Sequence, residues 1–348
     1  MRAILAFSTV EASIMDDIRP PVSAKSSRLL DKFRLCIRSQ GLSYETEKTY
    51  IHWVIRFIRF HGVRHPEKMG AAEVEAFLSD LAQQQRCAVA TQRIALNSLV
   101  FLFQRYLDIP LGELSFRYAR RQRRMPTVFT HDEAQHVLTH LAGTHRLVAS
   151  LLYGAGLRLN EALRLRIKDL DFGAQQITVH DGKGGNARAT LLPYTMRELL
   201  QSQIKQVAAL HAYDIECGYG EVWLPDALER KYPKAARATE WQFVFPATRI
   251  GTDPVTGVLR RHHLHASAVQ RAVGAAIRKS GFKRRASCHT FRHSFATRLV
   301  ETGYDIKLVQ SLLGHRDIRT TEIYLHVVRN RAGAIASPVD MASLKPDD

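Results

Sequence analysis

From residue 25 to residue 107 apolar side chains return every three or four positions, the period that places them on one face of a helix. Residues 26–38 have this spacing, as do 50–60, where Trp53, Phe57 and Phe60 share a face, 71–82 and 90–106. Four or five amphipathic helices of this kind pack as a compact bundle, with the aromatic positions in its core rather than on its surface. The polar stretches 45–50 and 89–93 open two of the helices and could dock on a phosphate backbone. Beyond Thr127 the pattern becomes mixed. Thr130-His-Asp-Glu is a capping sequence for a helix, and 146–153 reads as an apolar helix. Strand-like stretches between 170 and 192, interrupted by Asp181-Gly-Lys-Gly-Gly-Asn, predict a small antiparallel sheet with a tight glycine turn. The remainder reads mainly as helix. The fold class is therefore mainly α with a small antiparallel β-sheet, divided into a helical domain at 25–107 and a mixed domain at 128–332.

Charge adds a partner to this picture. The chain of 348 residues carries 50 Lys and Arg against 33 Asp and Glu, a formal charge of +17, which attracts a polyanion and makes binding salt-sensitive through counterion release. Nucleic acid fits better than a membrane, because no apolar run approaches the roughly 20 residues of a spanning helix. Residues 1–24 read as a flexible leader whose short apolar stretch is broken before a secretory core forms, and initiation at Met15 is compatible with it. Between the domains, 108–127 is a basic linker. Its arginines Arg117, Arg120, Arg121, Arg123 and Arg124 suit phosphate contact that tunes affinity without reading sequence. Cys36, Cys87, Cys217 and Cys288 are too scattered for a metal or disulfide framework, so reduced thiols in the cytoplasm are expected, with Cys288 a buried thiol.

Candidate chemistry is concentrated in the second domain. Displacing an alkoxide from a DNA phosphate requires donors on the non-bridging oxygens and an in-line nucleophile. Arg158, His289, Arg292 and His315 are suitable donors and Tyr324 a suitable nucleophile. Arginine suits the donor role because its planar fork is permanently charged and grips two oxygens. His289 and Arg292, three apart, share a face if their segment is helical. Attack by Tyr324 would leave a covalent phosphotyrosine that keeps the bond energy for rejoining without ATP. Lys183, on the glycine turn, is the candidate acid for the leaving 5′ oxygen; the turn lacks the spacing of a P-loop. A zinc site through His289 and His293, or through the clustered His262, His263 and His265, is disfavoured, since Thr290 stands where a metalloprotease helix has its glutamate. Neither metal nor cofactor is expected.

Taken in order, Arg158, Lys183, His289-x-x-Arg292, His315 and Tyr324 resemble the active site of the tyrosine recombinases. The resemblance extends through Thr302-Gly-Tyr-Asp-Ile to Leu-Leu-Gly-His315 and through Thr320-Thr-x-Ile-Tyr324-x-His. It implies a SAM-like core-binding domain followed by a catalytic domain, closing as a C-shaped clamp on DNA, with a metal-free 3′-phosphotyrosine reaction. It also implies a supporting role for Glu161, a homo-tetramer at work on two sites, and a tail at 333–348 that packs on a neighbouring protomer. A second stretch, about 220–250 with the following Arg260-Arg-His-His263, is similar to the insert of the integron integrases, as is the segment 50–66. That subfamily's substrates are a duplex integration site and a gene-cassette site folded from a single strand, read partly through extruded bases. Trp223, Leu224, Pro225, Lys231, Tyr232, Pro233, His262 and His263 have the side chains such recognition needs. The alternative is a phage- or Xer-type recombinase acting on duplex core sites; a type IB topoisomerase and a non-catalytic DNA binder are further alternatives.

Overall fold

The computed structural model describes residues 13–15, 17–112, 114, 126–180 and 187–325. Lys183, the linker residues Arg117, Arg120, Arg121, Arg123 and Arg124, and the tail lie outside them. The described chain forms two compact units, one built from the described residues of 14–114 together with 253–257, the other from 126–252 and 258–325 together with Ser13.

After a two-residue strand, β1 (Ser13–Ile14), the first unit contains α1 (Leu29–Ser39), α2 (Tyr44–Phe60), α3 (Ala71–Gln83) and α4 (Val89–Val100), the last running on into a wider π turn over Phe101–Tyr106. Trp53 and Phe57 are core, as their spacing predicts, but Phe60, at the last position of α2, is exposed because the helix end carries it past the packed face. Phe57 has no exposed surface and meets Phe77 and Phe103 edge-on, with ring centroids 5.7 and 5.9 Å apart. α2 starts at Tyr44 rather than at Tyr50 because the Ser43 hydroxyl accepts from the Thr46 amide and caps it. That start is not wholly a polar surface. Glu47 is 2% exposed, held by Arg38 through both oxygens at 3.0 and 2.8 Å and by Arg19 at 3.2 Å. The end of the expected leader is consequently folded: Arg19 also donates to the Leu42 carbonyl at 2.6 Å, and Arg38 to that of Pro20 at 2.8 Å.

The second unit opens on α5 (His131–Thr139), where Thr130 and Glu133 form the reciprocal cap predicted for them. α6 (Gly143–Gly154) follows, then α7 (Leu159–Leu163) and the sheet β2 (Leu170–Asp171), β3 (Gln176–His180), β4 (Ala187–Leu191). The sheet is antiparallel, with Ile177 opposite Thr190 and Val179 opposite Arg188. Its core-facing side, with Ile177 and Val179, joins one apolar cluster with α6, α10 (Ala266–Lys279) and the start of α11 (Cys288–Glu301). Cys288 is buried there, and burial pushes its thiol up to about 11, which keeps it protonated and unreactive.

Two elements are not evident from the apolar pattern. α8 (Arg197–Glu216) buries Gln203, His211 and Asp214 beside Leu200 and Val207, so its inner face does not read as hydrophobic. A second hairpin pairs β5 (Pro246–Thr252) with β6 (Leu259–His263), and the buried residues of β6 are Arg260 and His262. Polar side chains thus occupy the alternate positions that usually mark a strand. Arg260 donates to the Val222 carbonyl at 3.3 Å and lies 3.5 Å from Glu229, while Arg261 holds Asp214 of α8 through two bonds of 2.6 and 2.7 Å. These arginines tie the hairpin to α8 and to the segment containing α9 (Asp226–Lys231). No helix among the described residues is long and apolar enough to cross a membrane.

Candidate active site

Arg158, Glu161, Arg292 and His315 converge where the start of α7, the start of α11 and the chain after α12 (Ile306–Leu313) meet. Arg158 is the N-cap of α7, and its exposed guanidinium and its backbone amide both bond Glu161, at 2.7 and 2.8 Å. Arg188 of β4 completes the pair of oxygens at 3.0 and 2.7 Å, and Arg292 stands 3.6 Å away. Burial alone would raise the Glu161 pKa. The bonds from Arg188 and Arg158 outweigh it and bring the carboxyl down to about 2, so Glu161 is a fixed anion among three cations.

Arg188 is a site residue that sequence reasoning did not single out. Besides holding Glu161 it donates from Nε to the Leu312 carbonyl at 3.0 Å, joining sheet, α7 and α12. Its only signal is an arginine on a strand just beyond the glycine turn, which is common on exposed edges.

Arg292 is 1% exposed. It donates to the carbonyls of Gly156 and Leu313 at 2.5 and 2.6 Å and to His315 Nε2 at 3.1 Å. Burial, with the nearby Arg158 charge, lowers its pKa to about 10, which still leaves it cationic at neutral pH. Because Arg292 can only donate, His315 Nε2 is the acceptor and its Nδ1 carries the proton, given to Thr321 Oγ1 at 2.9 Å. Burial and the surrounding arginines bring His315 to about 4. Gly156 has φ +64°, and a Cβ there would stand 2.4 Å from the Phe295 ring, so this approach of backbone to α11 requires glycine.

His289 is exposed at the start of α11, its pKa lowered by partial desolvation and then by Arg292 and Arg158. Tyr324, after α13 (Arg319–Glu322), is 1% exposed, and burial raises its phenol pKa against the opposing pull of Arg292 and Arg158. Its hydroxyl lies 2.7 Å from His293 Nδ1. The sequence offers His293 only as a zinc ligand, and this contact, made one turn beyond His289 on α11, is not evident from it.

The segment after α8 forms a cluster of its own, with Val222, Leu224, Ala235, Ala236 and Phe243 buried. Leu224 has no exposed surface and is core here. His262 is also buried, edge-on to Phe243 with centroids 5.3 Å apart, and stacks near the partly buried His263 at 4.2 Å. Trp223 is half-buried, its carbonyl held by Arg166 at 2.8 Å. Pro225, Lys231, Tyr232 and Pro233 are exposed. Of these, Lys231, Tyr232 and Pro233 line a groove of about 450 Å³ with Lys234 and Trp241.

A helical unit followed by a unit that gathers arginines, histidines and a tyrosine around one carboxylate has the architecture of a tyrosine recombinase. The sequence pattern of the Phage integrase family matches residues 127–331, and that of the phage integrase N-terminal SAM-like domain matches 29–113. The chain belongs to this family: it is a site-specific tyrosine recombinase, an enzyme that breaks and rejoins DNA. An integrase/recombinase of Escherichia coli is 46% identical over 92% of this chain and 95% of its own length. The fold also matches the XerH site-specific recombinase bound to palindromic difH substrate, with a TM-score of 0.57 and 21% identity over 90% of this chain and 83% of that one. A lambda integrase dimer bound to a COC′ core site gives a TM-score of 0.57 at 19% identity, covering 84% and 95% of the two chains.

Proposed function

We propose that this recombinase is an integron integrase, which inserts and excises gene cassettes by joining a duplex integration site to a cassette site folded from one strand. The observation that supports this reading is the segment 220–245, a separate apolar cluster that presents Tyr232, Pro233 and Trp241 beside Lys231 and Lys234 around a single groove. Aromatic and proline faces with cationic walls suit a base turned out of its stack.

In the reaction, Tyr324 attacks the scissile phosphate, forming a 3′-phosphotyrosine and releasing the 5′ oxygen, which Lys183 protonates. Arg158, Arg292, His289 and His315 stabilise the charge on the phosphate, with Glu161 and Arg188 fixing the arginines. Arg292 and Tyr324 are buried, so the scissile phosphate reaches them only once the side chains covering them give way. The protein works as a tetramer on two sites. The XerH and lambda integrase complexes with DNA support assembly on the substrate.

The test is to incubate the protein with a labelled folded bottom-strand cassette site, its complementary top strand and the duplex, and to look for a denaturation-resistant protein-DNA adduct. The expected result is an adduct favouring the folded bottom strand in the wild type and none in Tyr324→Phe. An adduct formed only with duplex sites keeps the recombinase and removes the cassette reading. An adduct that survives Tyr324→Phe removes Tyr324 as nucleophile.

A further inference from the structure

The nucleophile has a half-buried partner that its assigned chemistry does not use. His293 lies on α11 one turn beyond His289, and the two rings stand edge to face with centroids 4.6 Å apart. While His289 faces outward, His293 turns inward and places Nδ1 2.7 Å from the Tyr324 hydroxyl. The titratable or charged groups around it are His289 and Arg292 from its own helix, and His315 and Tyr324 from the chain after α12.

We propose that His293 is the general base of the cleavage step, taking the Tyr324 phenol proton on Nδ1 as the phenol oxygen attacks phosphorus. The proposal rests on the assignment of Tyr324 as nucleophile. In the step the Tyr324 Oη–P bond forms and the P–O5′ bond breaks. The phenol proton passes to His293, and the leaving 5′ oxygen receives a separate proton from its own acid. Rejoining reverses each transfer, and His293 returns its proton to the tyrosine. The geometry meets the first requirement of a base, direct hydrogen-bond reach of the proton it removes. The second requirement is a free lone pair. Burial, followed by the charges of His289 and Arg292, lowers the His293 pKa to about 4, so its ring is neutral at physiological pH. That value also makes it a weak base before DNA arrives. The scissile phosphate brings an anion beside the same cluster, which offsets the Arg292 contribution and strengthens the base when it is needed.

The experiment measures single-turnover adduct formation on a duplex core site carrying a sulfur in place of the bridging 5′ oxygen. This leaving group departs without an acid, so the rate reports on the tyrosine alone. Wild type, His293→Gln, His293→Asn and Tyr324→Phe are compared from pH 6 to pH 9, with DNA binding and thermal unfolding measured in parallel. Asparagine sets an amide oxygen near the position of Nδ1, so it accepts a hydrogen bond but not a proton. General-base loss typically costs about 100-fold or more. Both His293 variants are therefore expected to bind DNA normally and cleave about 100-fold more slowly at pH 7, with rates that climb about tenfold per pH unit while the wild type stays flat. Cleavage by His293→Asn at or above the wild-type rate would overturn the proposal, because position or restraint and not proton transfer would be the role. A pH-independent deficit would overturn it as well. Should His293→Gln fail to fold, fluorinated tyrosine at 324 in the wild type and His293→Asn supplies the readout. A more acidic phenol narrows the gap between them if His293 is the base, and an unchanged gap counts against it. An adduct in Tyr324→Phe would instead sink the nucleophile assignment beneath the proposal.

Discussion

At the scale of single residues, the site is arranged around charge compensation. Three arginines packed in one place would repel one another, and Glu161 makes their approach favourable. Truncating one partner of a buried charged cluster usually costs about 3–5 kcal/mol because the others are left uncompensated. Glu161→Gln is therefore expected to lower stability by about 3 kcal/mol in urea unfolding and to reduce cleavage while leaving DNA affinity nearly intact. The sign of the pH effect follows from the direction of each shift. Glu161 is held at about 2 against an ordinary 4.5, so its contribution is complete above pH 4.5 and is lost as pH falls towards 2. His293 and His315, at about 4 against 6.5, contribute stability that is complete above 6.5 and lost as pH falls through 4. Acid titration of stability should thus show a limb from 6.5 to 4 in both proteins and a lower limb from 4.5 to 2 that Glu161→Gln lacks. A lower limb unchanged in the variant would show that Glu161 is not the titrating group.

At the scale of elements, the ends of short helices bring distant parts of the sequence together. α12 terminates at Gly314, which has φ +64° as its left-handed cap, and a Cβ there would stand 2.7 Å from the Arg188 side chain. Gly303, at the end of α11, has φ +88° but nothing within 4 Å of such a Cβ. The two glycines separate backbone strain from crowding. Left-handed backbone costs a residue with a Cβ about 1–2 kcal/mol, so Gly303→Ala should be destabilised by about that amount and Gly314→Ala by more, since crowding of Arg188 adds to it. Only Gly314→Ala should also lose cleavage, since it displaces Arg188 from Glu161 and from the Leu312 carbonyl. Adduct yield measured beside the urea midpoint checks this, and equal cleavage by the two variants would refute the structural role of Arg188. The hairpin of β5 and β6 carries a further lesson at this scale. Arg260 and His262 occupy its inward positions, so the period of two is present in burial but not in hydropathy.

At the scale of the whole molecule, what the sequence revealed depended on the kind of force holding each part. The helical unit was legible because Trp53, Phe57, Phe77 and their neighbours are held by apolar burial, which leaves a periodic trace. Arg158, His289, Arg292, His315 and Tyr324 could be singled out because the phosphate chemistry proposed for them restricts residue type at wide spacings. Arg188 and His293 were not assigned, since their importance lies in contacts across the fold, 27 residues from Glu161 and 31 from Tyr324. The surface of 220–245 is intermediate: its residue types suggest recognition, but burial divides Leu224 from Tyr232 and Pro233. Net charge acts at a longer range than any of these contacts. A formal charge of +17 gives an attraction to DNA that falls as salt rises, with a logarithmic slope of about −0.9 for each phosphate neutralised. The run containing Arg120, Arg121 and Arg124 stands between the two units in sequence, and its proposed role is contact with phosphates. Replacing those three by glutamine should reduce the slope by about 2–3 and weaken binding to all duplexes alike, leaving the preference among recombination sites unchanged. Binding measured from low to moderate salt on a cognate site and on random duplex tests this directly. An unchanged slope would mean that the run is solvated in the complex, and a changed preference would mean that it reads bases as well as phosphates.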